Sequence, residues 1–148
     1  MFGAPMDAIA VTTATDLFHI TVTDTVVLHQ LDLCQTTDLG DAAEEVLRIG
    51  MYRAVTGGSG GTALTEVPYV DGDDTAATAV ALGCNSSIST GGTLLHIFGW
   101  NIRVPFQQIW TPETRPRIDS TEDPIVFRLM AAPADSVTIS GTLVFEET

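Results

Sequence analysis

Hydrophobic and polar residues alternate with a period of two along most of this chain. From Ser136 to Phe145 the odd positions are Val137, Ile139, Gly141, Leu143 and Phe145, and the even ones are Ser136, Thr138, Ser140 and Thr142 before Val144. Successive side chains of an extended strand point to opposite faces, so this pattern predicts a strand with one buried face. Leu17 to Thr23 repeats it, with Phe18, Ile20 and Val22 on one face and His19, Thr21 and Thr23 on the other. Leu94 to Val104 places Leu94, Phe98, Trp100, Ile102 and Val104 together. Val26 to Gln35, Val46 to Val55, Ala76 to Cys84, Phe106 to Trp110 and Ile125 to Ala131 complete a set of about eight expected strands. Helical periodicity is confined to Asp41 to Val46, one short turn that Asp38 or Asp41 would cap.

Turn chemistry separates these runs. Gly57-Gly58-Ser59-Gly60-Gly61 has almost no side chain to pack and reads as a mobile loop tip. Asp71-Gly72-Asp73-Asp74 and Ser89-Thr90-Gly91-Gly92 read as turns, and Pro112, Pro116 and Pro124 bracket an ordered, irregular loop from Thr111 to Asp123. Many short strands with such turns between them predict an all-β, antiparallel sandwich, with the jelly roll the most economical variant and an immunoglobulin-like sandwich the runner-up. The order Cys34, Cys84, Trp100 leaves the tryptophan outside the cysteine pair, unlike an immunoglobulin domain. The division expected is an apolar N-terminal arm or first strand over residues 1–14, followed by one sandwich domain over 15–148.

Composition agrees with a folded β protein. The chain of 148 residues is 45% hydrophobic and only 17% charged, the reverse of the balance that keeps a chain disordered. Its 21 threonines favour a pleated, half-exposed surface. Charge narrows the partners. Nineteen acids against six bases give a formal charge of −13, and every base is an arginine. Such a field repels phosphate backbones and anionic lipid, so neither nucleic acid nor a membrane is expected as partner. Without lysine, Schiff-base chemistry is excluded. Met1 to Ala14 lacks a basic segment and is interrupted by Pro5 and Asp7, so it does not read as a signal peptide, and synthesis in the cytoplasm is expected.

The residue types that carry chemistry do not converge on a reaction. Gly57 to Gly61 formally matches G-x-S-x-G, but no helix follows Ser59, as a nucleophile elbow requires. His19, His29 and His96 fall in expected strands without metal-ligand spacing, and His96 on an apolar face reads as a core or interface histidine. Cys34 and Cys84 stand 50 residues apart with no C-x-x-C and read as buried thiols. Asp71, Asp73 and Asp74 lack the EF-hand pattern and read as a solvated turn. Asn85-Ser86-Ser87 is a glycosylation sequon without a secretory context. No enzyme, cofactor or metal is expected. Of the aromatics, Trp100 reads as core, whereas Trp110 and Tyr69, near loops, are candidates for a protein interface or a sugar-stacking platform.

Four segments carry a resemblance: Gly40-Asp41-Ala42-Ala43-Glu44-Glu45-Val46-Leu47-Arg48, Gly61-Thr62-Ala63-Leu64-Thr65-Glu66-Val67-Pro68, Thr111-Pro112-Glu113-Thr114-Arg115-Pro116, and Ala131 to Glu147. Together, over roughly residues 28 to 148, they resemble small virion structural proteins of tailed bacteriophages. The resemblance implies a capsid decoration or cement protein on the outer surface of the head, partnered by the major capsid protein or another virion protein, and brings no catalytic residues. Decoration at a three-fold lattice position implies a homotrimer. A carbohydrate- or receptor-binding module of the virion or tail is the alternative. The expected interface residues are Phe2, Met6, Ile9 and Val11, which have no evident strand partner, together with Trp110 and Arg115.

Overall fold

The computed structural model describes residues 1–36, 45–70, 72 and 77–148. The expected helical turn at Asp41 to Val46 and the carboxylates of Asp71, Asp73 and Asp74 lie outside the described residues, except for Glu45 and Val46. Among those described, all regular structure is β. The strands are β1 (Phe2–Val11), β2 (Asp16–Thr21), β3 (Thr25–Gln35), β4 (Val46–Arg53), β5 (Thr62–Ala63), β6 (Val67–Pro68), β7 (Val80–Gly83), β8 (Thr93–Asn101), β9 (Phe106–Ile109), β10 (Arg117–Asp119), β11 (Ile125–Leu129) and β12 (Val137–Glu147).

They form two six-stranded antiparallel sheets. The first runs β10-β3-β12-β1-β6, with β9 also on β3, and the second runs β5-β7-β2-β11-β4-β8. The sheets face each other as a β-sandwich whose core includes Phe18, Leu31, Ile49, Phe98, Trp100, Phe127, Leu143 and Phe145. Phe127 lies in β11, between Phe18 of β2 and Met51 of β4, and is wholly buried. A side chain of that size contributes about 1.5–3 kcal/mol by leaving water.

Residues 1–14 are not a loose arm. Phe2, Ala4 and Met6 alternate inward along β1, which pairs with β12 from Phe2↔Phe145 to Val11↔Val137. Pro5 is accommodated because β6 reaches only Phe2 and Gly3, so β1 is a sheet edge at the proline. A bulge between Met6 and Ile9, with Ala8 at φ 51°, restores the register. The buried residues of β1 gave no sequence signal of a partner because β12 lies at the other end of the chain.

A second bulge corrects the expected face of β8. Tyr52 pairs with Leu94 but Met51 pairs with His96, so Leu95 is an extra residue. Phe98, Trp100 and Ile102 remain buried, whereas Leu94 turns out to solvent and Val104 sits exposed in the turn that follows. The indole of Trp100 donates to the Val104 carbonyl at 2.8 Å. The Thr111 to Asp123 loop also holds a short strand, β10, on the edge of β3.

Candidate functional site

Polar chemistry is concentrated in one cluster on the outer side of the second sheet. Asp16 begins β2 and Arg128 lies opposite it in β11. The Asp16 carboxylate accepts from the Ser89 backbone N–H and hydroxyl, both at 2.8 Å, from Asn85 Nδ2 at 3.2 Å and from Arg128 Nε at 3.3 Å. Arg128 also donates to Ser89 Oγ at 2.6 Å and lies 4.3 Å above the Tyr52 ring. Asn85 Nδ2 stands 2.9 Å from His19 Nδ1. Because the amide can only donate there, the ring nitrogen accepts and the imidazole proton sits on Nε2. The Thr15 hydroxyl closes the group by donating to the Asn85 carbonyl at 2.6 Å.

Two loops seal this cluster. Ser59 and Ser87 exchange backbone hydrogen bonds at 3.0 Å, and Thr56 and Thr90 do so at 2.9 Å. The glycine tract is therefore stitched to its neighbour rather than a free loop tip. Gly58, at φ 89°, passes so close that a Cβ there would stand 2.9 Å from His19 Nδ1, 3.0 Å from Asn85 Nδ2 and 3.1 Å from Asp16 Oδ2. Asp16, His19, Asn85 and Ser89 are all buried. Burial, as its largest cause, lowers the His19 pKa, against the opposing pull of Asp16 and Asp123.

This arrangement fastens loops rather than activating a nucleophile. The Ser89 hydroxyl donates to Asp16 and accepts from Arg128, while the basic nitrogen of His19 is occupied by Asn85. Ser59 is exposed, and its backbone is engaged with Ser87 rather than with a helix. The sequon amide of Asn85 is buried inside the cluster. Among the described residues there is no group of three or more His, Cys, Asp or Glu side chains placed to hold a metal, and no helix is long and apolar enough to cross a membrane. Alternation places His19 on the face opposite Phe18 and Ile20, and the structure buries that face as well. The overlooked signal was a pair of opposite charges, Asp16 and Arg128, each beside apolar strand residues.

The thiols differ from their expected burial, since both Cys34 and Cys84 are half-buried. Cys84 lies 3.5 Å from Met6 Sδ, and burial pushes its pKa up to about 12.

The surface presents a different chemistry. β8 is the outermost strand of its sheet, and Leu94, Leu95 and Ile97 on it are exposed. Beside it a cleft of about 500 Å³ is lined by Met51, Leu95, His96, Gln108, Trp110, Thr114 and Pro116. The His96 ring lies tilted against Phe98 at 4.4 Å, and Phe98 meets Phe106 and Trp110 edge-on at 5.6 and 6.5 Å. An open groove of about 840 Å³ crosses the outer face of the first sheet past Pro5, Asp32, Phe106 and Gln107.

The expected interface residues do not converge. Phe2, Met6 and Val11 are core residues, and Ile9 packs against the core half-buried. Their side chains already have partners within the fold, so they are not an exposed anchor. Trp110 is only 7% exposed, which leaves its ring no face for a sugar. Arg115 is half-buried above the loop, its Nε without a hydrogen-bond partner. Trp110 and Arg115 do both belong to the β8 side of the molecule, whereas the β1 residues do not. No protein-family model, curated protein or solved structure matches this chain.

Proposed function

We propose that this chain is a non-enzymatic structural protein of a tailed-phage virion, a decoration or cement protein held on the outer surface of the head by the major capsid protein or another virion protein. The observation that carries this reading is the β8 edge. An outermost strand offers unpaired backbone donors and acceptors, and proteins ordinarily guard such an edge with charge, proline or a bulge. β8 carries the bulge at Leu95 but no charged residue from Thr93 to Asn101, and it leaves Leu94, Leu95 and Ile97 in solvent. An edge of that kind is suited to assembly.

The resemblance of four segments to small phage virion proteins supports the same reading, as does the inward direction of the polar cluster. Strands that cross between sheets in succession, β1 to β2 to β3 to β4, support a jelly-roll variant of the sandwich. The carbohydrate- or receptor-binding alternative is the weaker proposal, because Trp110 is buried and Tyr69 is left as an isolated exposed ring. Mass spectrometry of purified phage particles from the source of this chain tests the reading. The expected result is the chain present in a fixed ratio to the major capsid protein. Particles that lack it would overturn the proposal.

A further inference from the structure

The open groove of about 840 Å³ crosses the outer face of the first sheet at right angles to its strands. One wall is the paired row Pro5, Thr142, Asp32 and Gln107, one residue from each of β1, β12, β3 and β9. The floor is the next row, from Met6 through Gly141 and Leu33 to Phe106. That floor is apolar, and Gly141 puts no side chain in its middle. Asp7 and Cys34 stand on the opposite wall. Four strands at their usual spacing make the groove about 14 Å long, the span of about four extended residues. It is open at both ends, because among the described residues β6 covers β1 only at Phe2 and Gly3, and β9 pairs with β3 alone. A passage from edge to edge admits a chain that enters at one side and leaves at the other.

The charges along it have one sign. Asp7 and Asp32 line opposite walls, and no arginine occurs in β1, β3, β9 or β12. Neutral donors orient both carboxylates. The Ser140 hydroxyl donates to Asp7 Oδ1 at 2.9 Å, and the Gln30 and Gln107 amides donate to Asp32 at 2.5 and 3.0 Å. Among the described residues neither carboxylate is in an ion pair. Two oriented carboxylates without a counter-charge favour ammonium or guanidinium donors, whose hydrogen bonds to them are about twice as strong as neutral ones. The β9 end of the groove lies at Phe106, which meets Phe98 of β8, so a chain in the groove emerges beside the bare edge.

We propose that this groove holds an extended segment of the partner protein in which basic side chains alternate with apolar ones. The basic ends reach Asp7 and Asp32, and the apolar side chains lie on the floor between Met6 and Phe106. The chemistry of the segment follows from the groove alone, whereas its belonging to a virion protein rests on the virion reading.

The probe that tests it is the peptide Ala-Arg-Leu-Arg-Leu-Ala, blocked at both ends, with glutamate in place of arginine in a control peptide. Fluorescence anisotropy with the full chain should show saturable binding of the arginine peptide and none of the control. Asp7→Asn and Asp32→Asn should each weaken binding about tenfold. Asp24→Asn, at an exposed carboxylate between β2 and β3, should leave it unchanged. The bound peptide should also slow alkylation of Cys34, the half-buried thiol on the groove wall. Thr142→Lys sets a cation of the chain's own in the groove and should abolish binding, and it replaces either asparagine variant whose circular dichroism departs from that of the parent. The proposal is overturned if the arginine peptide does not bind, if Asp24→Asn weakens it as much as Asp32→Asn, or if Cys34 is alkylated at an unchanged rate. Displacement of the peptide by an equal concentration of spermidine would overturn it in favour of a small polyamine. Loss of the parent's solution mass in Asp32→Asn would overturn it in favour of a second copy of this chain. None of these outcomes bears on the virion reading, which fails if phage particles lack the chain.

Discussion

The polar cluster under the glycine loop and the bare edge at β8 are opposite treatments of the same sheet. At one, an aspartate, an arginine, a histidine, an asparagine and a serine are drawn inward, hydrogen-bond one another except for the Asn85 Oδ1, which has no partner, and are closed over by two loops. At the other, apolar side chains and strand-edge backbone are left in water. A buried ion pair is costly to desolvate and gives little net stability, but removing one member is severe because the other remains buried without compensation. An exposed apolar edge contributes almost nothing to the monomer. The cluster therefore holds the loops over the second sheet, while the edge is where we propose that a partner binds.

The contrast makes unequal predictions. Asp16→Ala strands the Arg128 guanidinium and the donors of Ser89 and Asn85, and should cost about 3–5 kcal/mol in urea denaturation. A loss below 1 kcal/mol would show that the cluster does not hold the loops. Gly58→Ala sets a left-handed backbone and a crowded Cβ against the cluster, and should cost about 1–3 kcal/mol. Gly57→Ala, at φ 71° with nothing within 4 Å of the added Cβ, should lose only the backbone share, about 1 kcal/mol. Equal losses at the two positions would remove the claim that the loop is packed down at Gly58.

The pH dependence comes next. Burial holds the His19 pKa below its ordinary 6.5, so the folded chain resists protonation. Its neutral form is fully accommodated above pH 6.5. As pH falls below that value, the unfolded chain binds a proton that the folded chain does not, and stability declines until the folded pKa is passed. Urea melts across that window should show the decline, and His19→Gln should flatten it. An unchanged slope in the variant would assign the acid sensitivity elsewhere. The smallest effect on folding belongs to the edge, where Ile97→Asp should move monomer stability by no more than about 0.5 kcal/mol, read from its melting temperature.

The strands that alternate cleanly were legible in the sequence, and each of the eight expected runs contains a strand. Their faces were less legible wherever the period slipped. Leu95 adds one residue to β8 and turns Leu94 outward, which no count of alternating positions reveals. β1 was ambiguous because Phe2, Met6 and Val11 find their partners in β12, more than 125 positions along the chain. β5, β6 and β10 are too short to carry a period. The cluster was hidden because burial of His19 and Asn85 comes from loops laid over the sheet, a tertiary event. The β8 edge was only partly visible, since Trp110 and Arg115 lie on its side of the molecule while Leu94, on an apparently apolar face, read as core.

The most direct measurement of the central claim, that the outward edges of this sandwich exist for assembly, is the solution mass of the purified chain by light scattering at neutral pH. A mass near three times 15.7 kDa is the result the account predicts. A single copy that persists at high protein concentration would contradict it.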